Sequence, residues 1–385
     1  LTSSISSSST LALSVNCPVS GGSCASSNTA LTGNPRLITI TNTGSATATG
    51  MSTSSSGLPS GSSYTTTCTN TLAAGASCTI TVTPGQVATS GAGSLPCNNG
   101  IAPIPGTITV NATNATPVTS HVDVLTYGCI YQQGYIFNVD DTTPATASIG
   151  GTVVSLIDQV APGTGIIWSS NGMLNAFSPD YIPGIDASST TGSSSPDYSL
   201  FAGMFDHAAV PSATYTNPAP NPPIAFSACD GNINGLCNST NILLFYNQYK
   251  TNYDISCDGQ EGHPGCTVTA EATNPDYYAA GVCHQYTAAD GVNNWYTPAI
   301  CELDNSGSCS NTQSILNTLS ALVGTNSTNC TFTANCLAGE YWSSTEDNGN
   351  SRFYASIENY NGGSSSQTTD NKVTSHGLRC TRALT

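Results

Sequence analysis

Sixteen cysteines, an even number, constrain this 385-residue chain more than any other feature. Most fall in close pairs: Cys17/Cys24, Cys68/Cys78, Cys229/Cys237, Cys257/Cys266, Cys301/Cys309 and Cys330/Cys336. Close pairs at this density read as disulfides made in an oxidising compartment. Cys97, Cys129, Cys283 and Cys380 remain for longer bridges, with Cys283–Cys380 the favoured pairing; spacing alone does not fix connectivity. A zinc site from Cys257, His263, Cys266, Cys283 and His284 is the competing reading, but the paired C-x-x-C knuckles of zinc modules are missing. The expected location is secreted, extracellular and at a cell surface. No run of about 18 apolar residues occurs, so no membrane-spanning helix is expected. A chain without an initiating Met is read as one whose signal peptide has been removed.

Charge narrows the partners. Only 7% of residues are charged and the formal net charge is −16. Residues 1–127 hold one base, Arg36, and one acid, Asp123. Nucleic acid is excluded as a partner, because phosphate binding needs clustered Lys and Arg. Anionic lipid and sulfated glycans are disfavoured for the same reason. A nearly chargeless first third suits a domain packed against copies of itself, or one coated with glycan.

Read in order, the chain is mainly β. Thr10–Val15 alternates apolar and polar with period two, and strands are expected at Arg36–Thr41, Ser77–Thr83, Gly106–Asn111 and Pro117–Leu125. Turn chemistry separates them. Charge and aromatic content begin at Thr126–Cys129, where the domain boundary is expected. Further strands are expected at Gly134–Asp140, Gly151–Ile157 and Gly165–Trp168. Residues 178–223, rich in Pro, Ser and Asp, read as a long ordered insertion or a mobile loop. Helices are expected at Asn241–Tyr249, Pro275–Tyr286 and Thr312–Val323, the last with Ile315, Leu316, Leu319, Leu322 and Val323 on one side. The closing strands are Glu340–Ser343, Arg352–Glu358 and Leu378–Arg382, around a polar excursion from Asn359 to Asn371.

Two resemblances enter on specific residues. Leu37-Ile38-Thr39-Ile40-Thr41-Asn42-Thr43-Gly44 and Leu72-Ala73-Ala74-Gly75-Ala76-Ser77-Cys78-Thr79-Ile80-Thr81-Val82 look like the immunoglobulin-like modules of bacterial surface proteins. That resemblance implies a spacer or assembly sandwich. Tyr278–Cys283, Asn294–Ala299 leading to Glu302-Leu303, Tyr341–Thr345 and Leu378–Arg382 resemble the lectin-like C-terminal domain of bacterial collagen-like adhesins. That family is distantly similar to C-type lectins and formylglycine-generating enzymes. It implies an α+β lectin-like domain over residues 128–385, after a tail at 1–15 and a sandwich at 16–127; against this resemblance the insertion runs over about 178–270.

Candidate site residues follow. Tyr341, Trp342 and Trp295 are the aromatics a sugar could stack on, weighed against a core role. Glu346, Asp347, Asn348 and Asn350 offer oxygens around a Gly turn for calcium, the one cofactor considered; Asp254, Asp258 and Glu261 offer a second such set. The Glu-Pro-Asn and Trp-Asn-Asp signatures of calcium-dependent sugar sites are absent. No Gly-x-Ser-x-Gly elbow, His-Glu-x-x-His helix or phosphate loop occurs, so an enzyme is not expected. Arg379 and Arg382, three apart, should face opposite sides of a strand and pair with acids. The leading expectation is a surface protein that polymerises into a pilus-like filament, its strand of Leu11, Leu13 and Val15 donated to a neighbouring copy. The alternative is a monomeric adhesin that binds glycan or matrix through the lectin-like domain.

Overall fold

The computed structural model describes residues 1–6, 9–17, 30–168, 182, 184–187, 226–227, 229–246, 275–306, 309, 313–323, 337–351, 353–361 and 364–384. The protein is mainly β and divides into two compact units, 1–153 with 383–385, and 154–382.

The first unit carries β1 (Thr2–Ser3), β2 (Thr10–Ser14), β3 (Arg36–Thr41), β4 (Ala48–Ser56), β5 (Ser63–Thr66), β6 (Asn70–Leu72), β7 (Ser77–Thr83), β8 (Gly106–Ala112), β9 (Ala115–Leu125), β10 (Ile130–Tyr131) and β11 (Gly134–Asp140). The chain leaves this unit within β12 (Gly150–Ser155). One sheet runs β1-β3-β7-β5 and another β2-β9-β8-β4-β6. β3 and β7 bury every second residue, as their period-two pattern requires: Ile38 and Ile40 from one, Cys78, Ile80 and Val82 from the other. Ile108 and Val110 do the same on β8, and Val122 and Val124 on β9.

The N-terminal segment is not a free tail. β1 pairs with β3, and β2 lies parallel to β9 with Leu11 opposite Val122 and Leu13 opposite Val124. Leu11, Leu13 and Val15 are buried in their own unit, at about 1.5–3 kcal/mol each. The expected donated strand is therefore seated in cis. The boundary also moves, from Thr126–Cys129 to Val153–Val154. The physical reason is one buried cluster and one disulfide. Arg36 Nη2 lies 2.5 Å from Asp141 Oδ1, and its Nη1 donates to the carbonyls of Thr143, Pro144 and Ala147. Asp141 also accepts from Ser14 Oγ, Thr32 Oγ1 and the Asn34 amide. Cys129 is bridged to Cys97. Residues 129–147 thus complete the first unit.

The second unit carries helices α1 (Gly235–Leu244), α2 (Ala279–Gln285), α3 (Ile300–Leu303) and α4 (Ile315–Val323). Its strands are β13 (Ile166–Ile167), β14 (Gly339–Glu346), β15 (Tyr354–Asn361), β16 (Ser364–Asn371), β17 (Ser375–His376) and β18 (Thr381–Ala383), the last ending where the chain returns to the first unit. The sheet β14-β15-β16 is antiparallel. The polar excursion expected at Asn359–Asn371 is therefore a hairpin; its Ser/Thr strand lies at the sheet edge, where no apolar alternation is needed. Asn234 caps α1, its side chain accepting from Cys237 N at 3.0 Å. Gly281 explains part of the Tyr278–Cys283 motif: a Cβ there would stand 2.2 Å from the Pro275 carbonyl oxygen.

Five disulfides close among the described residues: Cys68–Cys78, Cys97–Cys129, Cys229–Cys237, Cys283–Cys380 and Cys301–Cys309. They mark folding in an oxidising compartment, as in secreted and extracellular proteins. Among the described residues Cys17 has no disulfide partner; Cys24, with which it is expected to pair, is not among them. Cys24, Cys257, Cys266, Cys330 and Cys336 lie outside the described residues, as do His263, Asp254, Asp258 and Glu261. Among the described residues, no helix is long and apolar enough to cross a membrane.

Candidate functional site

The expected sugar-stacking aromatics are core residues. Trp342 is 0% exposed; its Nε1 donates to Ile166 O at 2.7 Å and its ring meets His376 edge-on. Tyr341 is 1% exposed, its hydroxyl donating to Asp158 Oδ2 at 3.0 Å and its ring packing on Tyr360. Trp295, 2% exposed, lies between Tyr286 and the Arg382 guanidinium. β14 is covered on both faces, so its alternation carries no inside-outside information.

The expected calcium loop is also occupied from within. Glu346 is fully buried, with Lys372 Nζ 2.5 Å from its Oε1. Asp347 Oδ2 accepts from Asn350 N, closing the turn on itself. Among the described residues no group of three or more His, Cys, Asp or Glu is arranged to hold a metal, and Asn348 and Asn350 are exposed turn residues.

Both arginines pair with acids, as expected in an acidic domain, although Arg379 lies just before β18 rather than within a strand. Arg379 Nη1 stands 3.5 Å from Asp158, and Arg382 Nη2 donates to Asp290 Oδ2 at 3.1 Å. Burial raises the Asp158 pKa, against the opposing pull of Arg379 and the Tyr341 hydroxyl. The same burial, with the Asp158 charge, raises the Tyr341 phenol.

Asp158 opens onto the cleft of interest. It has a volume of about 300 Å³ and is lined by Ile157, Asp158, Gln159, Asp276, Val282, Gln285 and Tyr286. Two segments build it: the turn after β12 and the run from Pro275 through α2. Ile157 is exposed at its rim, and Gln285 and Asp276 are exposed on the other side. Gln159 is held in place, accepting from Ser155 Oγ and the Cys380 amide. Cys283–Cys380 ties α2 to the chain's closing segment. Carboxylates and amides thus sit beside one phenol ring, an arrangement that can accept hydrogen bonds from hydroxyl or ammonium groups and offer a flat apolar surface. The sequence placed Val282 and Tyr286 on a helix but gave no reason to join them to Ile157–Gln159, over a hundred residues away.

No family model matches the chain, and no curated protein matches it. Among solved structures, the secreted serine protease VesC from Vibrio cholerae aligns at 16% identity over 31% of this chain and 29% of that one, with a TM-score of 0.17.

Proposed function

We propose that the protein is a non-enzymatic extracellular surface protein: an immunoglobulin-like sandwich followed by a lectin-like domain whose cleft binds glycan. The observation that carries the reading is the cleft lining, acids and amides beside Tyr286. The strand orders β1-β3-β7-β5 and β2-β9-β8-β4-β6 support a two-sheet sandwich of the immunoglobulin kind. The net charge of −16 turns the ligand class toward neutral or amino-bearing sugars and away from sulfated ones.

A glycan array probed with the intact chain tests this. Saturable binding to neutral or amino sugars is expected. Tyr286→Ala and Asp276→Ala should each weaken it by about tenfold, near 1.4 kcal/mol, with the melting temperature unchanged. An array without binding, or binding indifferent to both changes, rejects the reading. Trp342→Ala is unsuitable as a probe, because that ring is core.

Polymerisation by strand exchange is the second reading, favoured by β2 joining its sheet by parallel addition beside β9. The same contacts form if β2 comes from another copy. Leu13 and Val124 are register partners. Leu13→Cys with Val124→Cys should then give an intermolecular ladder under oxidation; a crosslink confined to monomers rules exchange out.

A further inference from the structure

The chain has two lysines, Lys250 and Lys372. The Lys372 side chain is 3% exposed and that of Glu346 is 0% exposed. Nζ stands 2.5 Å from Oε1 and 4.3 Å from the centre of the Trp168 ring. Backbone fixes both ends: Lys372 N donates to Phe353 O at 2.8 Å, Trp168 N donates to Lys372 O at 2.9 Å, and Glu346 N donates to Ile185 O at 3.1 Å. An ammonium and a carboxylate are thus held in contact, away from water, on a rigid frame. Leaving both charged costs each ion its hydration, which the attraction only partly returns. The carboxyl carbon lies one C–O bond beyond Oε1, so it is no further than about 3.7 Å from Nζ, close to the separation of a near-attack pair.

We propose that Lys372 and Glu346 condense into an intramolecular isopeptide bond. A proton passes from the ammonium to the carboxylate as the pair reacts. The Nζ lone pair then attacks the carboxyl carbon. The C–N bond forms, the bond to one carboxyl oxygen breaks, and that oxygen leaves as water with one further Nζ proton. The product is a neutral secondary amide, and no oxidant or activated co-reactant enters the balance. Asp186, 1% exposed and bridged in parallel register to Glu346, places a second buried carboxyl one strand spacing away, where it can relay the proton. Trp168 shields the bond, its own Nε1 donating to Ser343 O at 2.8 Å. The staple closes the loop from Glu346 to Lys372 around the hairpin β15–β16, whose edge strand β16 has no apolar residue of its own to hold it.

Mass spectrometry of the intact chain, reduced and denatured, decides the matter. The wild type should weigh about 18 Da less than its sequence, one water. Lys372→Arg keeps the charge but cannot condense, and should appear at its full sequence mass. A wild type at full mass overturns the proposal, as does a deficit that survives in Lys372→Arg. Should that variant fail to accumulate, a peptide map of the wild type suffices. A branched peptide joining Glu346 to Lys372 is expected, and a linear peptide carrying a free Lys372 amine overturns the proposal. Neither result depends on whether the cleft binds glycan.

Discussion

Arg36 and Asp141 show how much the first unit depends on two side chains. Both are buried, and between them they bind β2, β3, the 32–34 segment and the 141–147 loop. Burial acts to raise the Asp141 pKa, but the hydrogen bonds from Thr32, Asn34, Ser14 and Arg36 outweigh it and hold the carboxyl below its usual range. A depressed carboxylate contributes stability that is complete above its unfolded value, near 4, and is lost as pH falls through the folded one. Removing one partner of such a pair is worse than removing both, because a charge is left buried alone. Asp141→Ala should therefore cost about 3–5 kcal/mol in urea unfolding, and Arg36→Met with Asp141→Leu should cost less than that single change. A double variant weaker than the single one would show that the pair is worth more than its parts.

At the level of elements, β2 is the strand on which stability and the proposed strand exchange meet. Leu13 is fully buried opposite Val124, so Leu13→Ala should cost about 2–5 kcal/mol. Under strand exchange that loss would depend on protein concentration; with β2 seated in cis it should not, and equilibrium unfolding at two concentrations separates the cases. The strands that could be read directly, β2, β3, β7, β8 and β9, carry apolar residues at alternate positions that face a core, although β2 is buried on both faces. β4 and β16 could not: ATGMSTSSS and SSSQTTDN have almost no apolar alternation, and their pairing comes from neighbours rather than from their own burial. The candidate site was harder still. Trp295, Tyr341 and Trp342 announced themselves by type, but type does not say which way a ring faces, and all three face inward. The cleft depends on Ile157–Gln159 meeting α2, a long-range contact that no local pattern encodes.

For the whole molecule, the consequence of so few charges is that several of those present are buried as acids. Burial, partly opposed by a hydrogen bond from Thr89, raises Asp123 to about 7 in the first unit. Burial likewise raises Glu302 to about 7, although the Ala299 amide and the Tyr296 hydroxyl stabilise its charge. Burial and the nearby Asp304 charge raise Glu358 to about 8. In the unfolded chain these carboxyls titrate near 4. Between that value and 7–8 the folded state binds more protons than the unfolded one, so stability falls as pH rises across this window. Each group withholds a few kcal/mol at the alkaline end, at about 1.4 kcal/mol per tenfold change in proton affinity. Asp141 works the opposite way below about 4, so maximum stability is expected on the mildly acidic side. Thermal unfolding should therefore occur at higher temperature at pH 5 than at pH 8.5. Glu302→Gln removes the titrating proton and keeps one acceptor oxygen, which can serve the Ala299 amide while the new NH2 group donates to the Tyr296 oxygen, so it should flatten the slope between those pH values. An unchanged slope in Glu302→Gln would mean that this buried acid does not drive the dependence. A melting temperature that rises toward pH 8.5 would mean that the three carboxyls are charged in the fold, with counter-charges or water reaching them.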